Sequence, residues 1–127
     1  MNLCSIQISR FVLGLSWVYH GFFPKLFTIA PMERQLTATM GFSLEVSNWI
    51  TRVAGAGEIV FGLLLITFYR SQLIHILNIS ALLGLLVFAA IMLPTILVEA
   101  FNPVTTNLAL ITLSCVILAN SDSSNQP

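Results

Sequence analysis

Four long apolar segments, parted by short polar breaks, run the length of the chain and leave it few folds to choose from. They extend from Ile6 to Phe27, Trp49 to Tyr69, Leu73 to Val98 and Val104 to Ala119. A helix needs about 20 mostly apolar residues to cross a hydrocarbon core of about 30 Å. The fourth segment has sixteen residues and reaches roughly 24 Å at the helical rise, so it has to stand nearly upright or begin earlier. The third reaches roughly 39 Å by the same rise. It also holds Pro94, which removes a backbone donor and crowds the carbonyl of Ala90, so a kink or tilt is expected there. The first segment lacks a small-residue cleavage site and contains Trp17, Tyr19 and His20; it reads as a mature helix and not as a signal peptide.

Composition points the same way. Charged residues make up 8% and hydrophobic residues 57% of 127 positions, against about 25% charged in ordinary soluble domains. Ten charged side chains cannot cover a water-soluble globule of this length. Five basic against five acidic residues leave no electrostatic footprint for nucleic acid or another polyanion. Cys4 and Cys115 stand far apart without a CxxC or a nearby His pair, which argues against a disulfide framework, a zinc site or a thioredoxin-like centre. The expectation is an all-α, membrane-embedded four-helix (tetraspan) bundle over residues 1–119. The polar stretch 120–127 reads as a disordered tail.

The breaks at Arg70 to Gln72 and Glu99 to Pro103 are short, so the flanking helices are expected to pack as antiparallel hairpins. The first connection, Thr28 to Asn48, is long. Its stretch from Pro31 to Met40 opens on a proline suited to a first helical turn and is followed by Gly41, so it reads as a short interfacial helix or partly re-entrant cap. Four passes put both termini on one side of the membrane. Lys25, Glu33, Arg34, Glu45, Arg52, Glu58 and Glu99 then fall on or nearer the first-loop side, and Arg10, Arg70 and Asp122 on the terminal side. Three basic residues against two do not orient the chain, but a polar site belongs to the first-loop pole.

Glu58 is the sharpest signal there. It lies nine residues beyond Trp49, roughly 13 Å along the second helix, where an ionised carboxylate costs about 2.5 to 3.5 kcal/mol even on the lenient insertion scale. It therefore has to face the bundle interior, paired or protonated. Thr51, Gly55, Glu58, Gly62, Ile66 and Tyr69 fall on one stripe of that helix, and the small residues flanking the acid would admit another helix closely. The plainer alternative is a carboxyl that merely bonds helices together. On the first helix Arg10, Gly14, Trp17, Gly21, Pro24 and Lys25 share a face, with His20 at its margin. Trp17, Tyr19 and Lys25 also fit an aromatic belt with a snorkelling lysine, whereas His20 beside an intramembrane acid could relay a proton.

Arg52 could snorkel outward or turn toward a carboxylate. Glu99 ends the third helix, where a further negative charge is disfavoured by about 0.3 to 1 kcal/mol, so it needs a partner; Lys25 and Arg52 are the cations at that pole. Asn102-Pro103 reads as an N-cap and first-turn proline. On the opposite pole His75 and Asn78 are set to face the bundle together, Gly84 suits close helix packing, and the two thiols suit inert packing.

Taken together, Tyr19-His20-Gly21, Pro24-Lys25, Arg52 with Ala54-Gly55 and Glu58-Ile59, Gly62, Pro94 and Phe101-Asn102-Pro103 resemble the DoxX-like family of small four-helix membrane proteins, with a likeness running from Arg10 to Ala119. The resemblance implies a tetraspan bundle in a bacterial inner membrane with cytoplasmic termini. Its name comes from a subunit of a thiosulfate:quinone oxidoreductase. No redox cysteine pair or ligand set for haem or an iron-sulfur cluster stands in this sequence, so a redox role would need a diffusible quinone or a partner subunit. Three functions remain open. The favoured one is a binding or accessory protein in which His20, Lys25, Arg52, Glu58, Glu99 and Asn102 line a pocket for a small amphipathic or quinone-like molecule, or dock a membrane protein partner. The second is an enzyme using Glu58 and His20 as an acid-base pair on a lipid-soluble substrate. The third is a structural scaffold.

Overall fold

The computed structural model describes residues 3–122, and every regular element among them is helical. Helix α1 spans Leu3–Gly21 and runs into a π-helical turn, Phe22–Phe27; α2 is the short Pro31–Ala38; α3 spans Leu44–Thr67 and α4 Gln72–Met92; a 3-10 turn, Pro94–Val98, precedes α5, Pro103–Asp122. Three of these, α3, α4 and α5, are long and apolar enough to cross a membrane. Helix α1, at 19 residues, is interrupted by Gln7, Ser9, Arg10, Ser16 and His20 and is not among the three. Large apolar side chains such as Phe11, Leu15, Val53, Leu63, Leu83 and Leu108 are exposed along the outer faces, as a lipid surround requires.

Local chemistry sets the boundaries. Ser43 caps α3 by accepting a hydrogen bond from Val46 N at 3.4 Å, so the helix starts five residues ahead of the expected Trp49. Asn102 Oδ1 accepts from Thr105 N at 3.1 Å and Pro103 opens α5, as the sequence predicts. Proline-led α2 ends just before Gly41, whose φ of +76° is the left-handed conformation glycine takes readily. The kink expected at Pro94 is instead a break. Leu93, restricted by the following proline, turns out of the helix at φ −150° and ψ 71°. The expected tail begins as helix, since α5 continues through Asp122; residues 123–127 lie outside the described residues.

Packing is uneven. Helices α1 and α3 lie in closest contact, and two glycine pairs make this so: Gly14 meets Gly62 and Gly21 meets Gly55, each pair seven residues from the next on its own helix. A Cβ on Gly55 would stand 2.6 Å from Gly21 O, and one on Gly62 2.5 Å from Gly14 O. Helix α4 packs chiefly on α5 and barely touches α3. The hairpin expected from the short Arg70 turn is therefore splayed, because the small-residue face of α3 is already occupied by α1. Gly84 does not serve close packing either: a Cβ there, as at Gly57, would meet nothing within 4 Å. Trp17, Leu65 and Leu82 form the apolar core where α1, α3 and α4 converge. At the far end the guanidinium of Arg10 on α1 lies 4.3 Å from the centre of the Tyr69 ring, just beyond the end of α3.

Alanine at Gly55 or Gly62 is expected to lower stability by about 1 to 3 kcal/mol through overpacking. Alanine at Gly57 or Gly84 should leave it unchanged or raise it by up to about 1 kcal/mol through helix propensity. Thermal unfolding in detergent checks both; equal losses at all four positions would mean that the α1–α3 contact is not what the glycines serve.

Candidate functional site

The ionisable residues at the first-loop pole gather where α1 ends. Pro24 has no N–H to continue the helical ladder, and the backbone widens into the π-helical turn at Phe22–Phe27, a distortion common at functional sites. The turn carries Lys25 inward until only 6% of it is exposed. Its ammonium donates to Glu58 Oε1 on α3 and stands 3.6 Å from Glu33 Oε1 on α2. His20 Nδ1 lies 3.3 Å from the other Glu58 oxygen, Oε2. Helices α1 and α3 and the turn thus meet on one carboxylate, and α2 joins them through Lys25. The imidazole is the outer member of the cluster, with 59% of its side chain exposed, whereas Glu58 is buried.

Of the six residues expected to share a pocket, His20, Lys25 and Glu58 come together. Arg52 does not join them. Six residues from Glu58 at 3.6 per turn place it about 120° around α3, where it is exposed beside Glu45, Asn48 and Trp49. Glu99 is exposed after the 3-10 turn, and only its backbone carbonyl is engaged, accepting from Asn102 Nδ2 at 2.9 Å. Asn102 spends its side chain on that bond and on the α5 cap. Neither of the last two reaches the Glu58 cluster. Of the belt residues, Tyr19 is exposed as such a belt requires, but Trp17 and Lys25 are buried. Cys4 and Cys115 are free and exposed, not packed inside.

A second polar line runs through the bundle. Trp17 Nε1 donates to Asn78 Oδ1 at 2.7 Å, and Asn78 Nδ2 donates to Ser114 Oγ at 2.8 Å. Ser114 Oγ lies 3.3 Å from His75 Nδ1, and His75 Nε2 lies 2.8 Å from the Tyr69 carbonyl oxygen. A carbonyl only accepts, so Nε2 carries a proton; in the neutral ring Nδ1 is then the acceptor facing the serine hydroxyl. The shared inward face expected for His75 and Asn78 is present; the partners Trp17 and Ser114 are what the sequence did not reveal.

Between the splayed α3 and α4, with Trp17 of α1 at its base, lies a shallow, broadly open apolar cleft of about 590 Å³. Its walls include Ala54, Gly57 and Phe61 from α3 and Leu77, Ala81 and Gly84 from α4, and Glu58 is the ionisable group among its lining residues. The Trp17 and Phe61 rings meet edge to face, 5.1 Å between centres. The carboxylate that the cluster holds on one side is therefore presented to an apolar, ligand-sized space on the other. Sequence reasoning also missed Glu33, whose signal was its place in the first turn of the cap helix.

Removing the cation leaves a buried carboxylate uncompensated, so Lys25→Met is expected to destabilise the protein by about 3 to 5 kcal/mol. Adding Glu58→Leu to that variant should recover most of the loss, since the pair is then replaced by apolar side chains of similar size. Unfolding midpoints of the two single variants and the double variant in detergent measure the coupling; additive losses would mean that Lys25 does not neutralise Glu58.

Residues 14–115 match the DoxX-like family, a stretch that begins within α1, ends within α5 and contains His20, Lys25, Glu58 and the whole cleft. No curated protein and no solved structure matches the chain. With helices apolar enough to span a bilayer and a match over most of its length, this membrane protein belongs to the DoxX-like family.

Proposed function

We propose that the protein binds a small lipid-soluble molecule with a polar head, of quinone-like size and character, in the cleft between α3 and α4. The observation that carries this reading is the combination of an apolar space of about 590 Å³ with one carboxylate at its wall. Small-molecule sites have this build, a mostly apolar lining of about 300 to 1,000 Å³ with few polar groups to fix orientation. Glu58 accepts one bond on each oxygen, from Lys25 and from His20 in its Nδ1–H tautomer. Each oxygen keeps a second lone pair for a ligand hydroxyl. Trp17 and Phe61 offer ring faces and edges for a planar head.

In this reading α1 is a fourth span. Its 19 residues cover roughly 28 Å, it follows α3 along the glycine pairs, and its Ile8, Phe11, Val12 and Leu15 face outward. The bundle then sits in a bacterial inner membrane with both termini in the cytoplasm, as the family likeness implies, and the cleft opens sideways to lipid. The His20–Glu58 contact of 3.3 Å supports a second reading, an acid-base pair acting on the bound molecule.

Native mass spectrometry of gently extracted protein, followed by organic extraction and ultraviolet spectra in oxidised and reduced forms, tests the binding. A retained small apolar molecule is expected in the wild type and in Glu58→Gln, and its loss is expected in Gly57→Leu and Gly84→Leu, which fill the cleft without touching a neighbour at Cβ. Equal retention in the filled variants would remove the cleft as the site. If the molecule is turned over by wild type but only bound by Glu58→Gln, the acid-base reading holds.

A further inference from the structure

The two arginines of the terminal pole converge on one side chain. Arg10 stands seven residues beyond the start of α1, and its guanidinium carbon lies 4.3 Å from the centre of the Tyr69 ring. Arg70 follows Tyr69 in the tight turn between α3 and α4. Its guanidinium carbon lies 5.6 Å from the same ring centre, and its Nε donates to the Tyr69 hydroxyl at 3.1 Å. The tyrosine is held in place, because buried His75 binds its carbonyl oxygen at 2.8 Å. A ring face attracts cations but carries no formal charge, so it neutralises neither arginine. Among the described residues the ion pairs join only Glu33 or Glu58 to Lys25 or His20, and every glutamate lies on or nearer the first-loop pole. Two like charges from separate elements thus stand at one ring with no carboxylate paired to them. What each has left to offer is the same. Nε of Arg70 is spent on the hydroxyl and Nε of Arg10 is sealed without a partner, which leaves the terminal nitrogens of both.

We infer that Arg10, Tyr69 and Arg70 form a second binding site, independent of the cleft, for the phosphate of an anionic phospholipid. Arginine takes phosphate through paired N–H groups, and one phosphate shared by two guanidiniums supplies the negative charge missing at this pole. Basic pockets between membrane helices are a recurrent seat for such headgroups. The place suits a lipid. Arg10 starts roughly 10 Å along α1 yet ends beside Tyr69, beyond the end of α3; such a reach from apolar helix to helix end is how arginine meets a bilayer interface, and tyrosine is enriched at the same level. Headgroup charge then decides the preference. A zwitterionic headgroup brings its own ammonium up to two arginines, whereas a glycerol headgroup brings no cation.

The test uses full-length protein in detergent, titrated with phosphatidylglycerol, phosphatidylethanolamine and phosphatidylcholine of identical acyl chains and followed by native mass spectrometry. The glycerol lipid is expected to bind about tenfold more tightly than the other two, the order of effect of two arginines near a membrane surface. Arg10→Gln and Arg70→Gln should each cut that preference several-fold, and the double variant should abolish it. Tyr69→Leu, which keeps both charges and removes the ring that gathers them, should also reduce it. Arg34→Gln and Arg52→Gln remove exposed arginines elsewhere and should leave it unchanged. Unfolding midpoints report whether each variant is folded; Arg70 is exposed in a turn, so its variant carries the test if Arg10→Gln does not fold. Inorganic phosphate separates the sources. An unchanged wild-type unfolding midpoint at millimolar phosphate supports a lipid occupant, and a rise that Arg70→Gln abolishes assigns the site to the free anion and overturns the lipid. Equal binding of the three lipids by the wild type, a preference that survives in the folded double variant, or an equal loss in Arg34→Gln and Arg52→Gln also overturns the inference. None of these results depends on whether anything occupies the cleft.

Discussion

A carboxylate halfway along an apolar helix is the constraint from which most of this architecture follows. Glu58 could not stand against hydrocarbon, so a cation has to reach it from another element, and Lys25 can do so only if the chain at the end of α1 turns inward. Pro24 supplies that turn by forcing the π-helical widening. The same contact demands that α1 and α3 approach until their backbones nearly touch, which the pairs Gly14–Gly62 and Gly21–Gly55 permit. With that face of α3 consumed, α4 has no close seat on its sequence neighbour and rests on α5. The cleft is the space this leaves.

Seen this way the bundle is two helix pairs, α1 with α3 and α4 with α5, joined along a seam. Direct packing across the seam is thin between α3 and α4. The hydrogen-bonded line from Trp17 through Asn78 and Ser114 to His75 fastens α1 to both members of the other pair, and the bond to the Tyr69 carbonyl ties in the end of α3. Every group in that line has its donor or acceptor matched, which is the condition for a buried polar network to stabilise and not to weaken a core. It also closes one end of the seam with directional contacts, while the other end stays lined by alanine, glycine and leucine.

Much of this was legible in the sequence. The helical class, the cap helix led by Pro31, the Asn102-Pro103 start of α5 and the inward faces of α1 and α3 follow from periodicity and capping, which are local. The pairing of His20, Lys25 and Glu58 was legible because a buried charge needs a partner and few were on offer. Arg52 went astray because pole-by-pole reasoning ignores both its angle around α3 and the roughly 9 Å of helical rise that separates it from Glu58. Glu99 and Asn102 were assigned to the site for the same reason, when Asn102 had its bonds satisfied locally. The partners Trp17 and Ser114, and the splay of α3 from α4, depend on which helices touch, and periodicity within one helix does not encode that.

The charge inventory of the cluster links its buried and exposed ends. Lys25 contributes one positive charge, and Glu33 and Glu58 together two negative ones, so with both acids ionised and His20 neutral the group carries one net negative charge. One further proton brings it to neutrality wherever among the three acceptors it resides. His20 is the member with most of its side chain exposed, and Glu58 is the member that borders the cleft. Because His20 Nδ1 lies 3.3 Å from Glu58 Oε2, the exposed member of the cluster and the member at the cleft wall are in direct contact, and the exposed end and the cleft meet on one carboxylate.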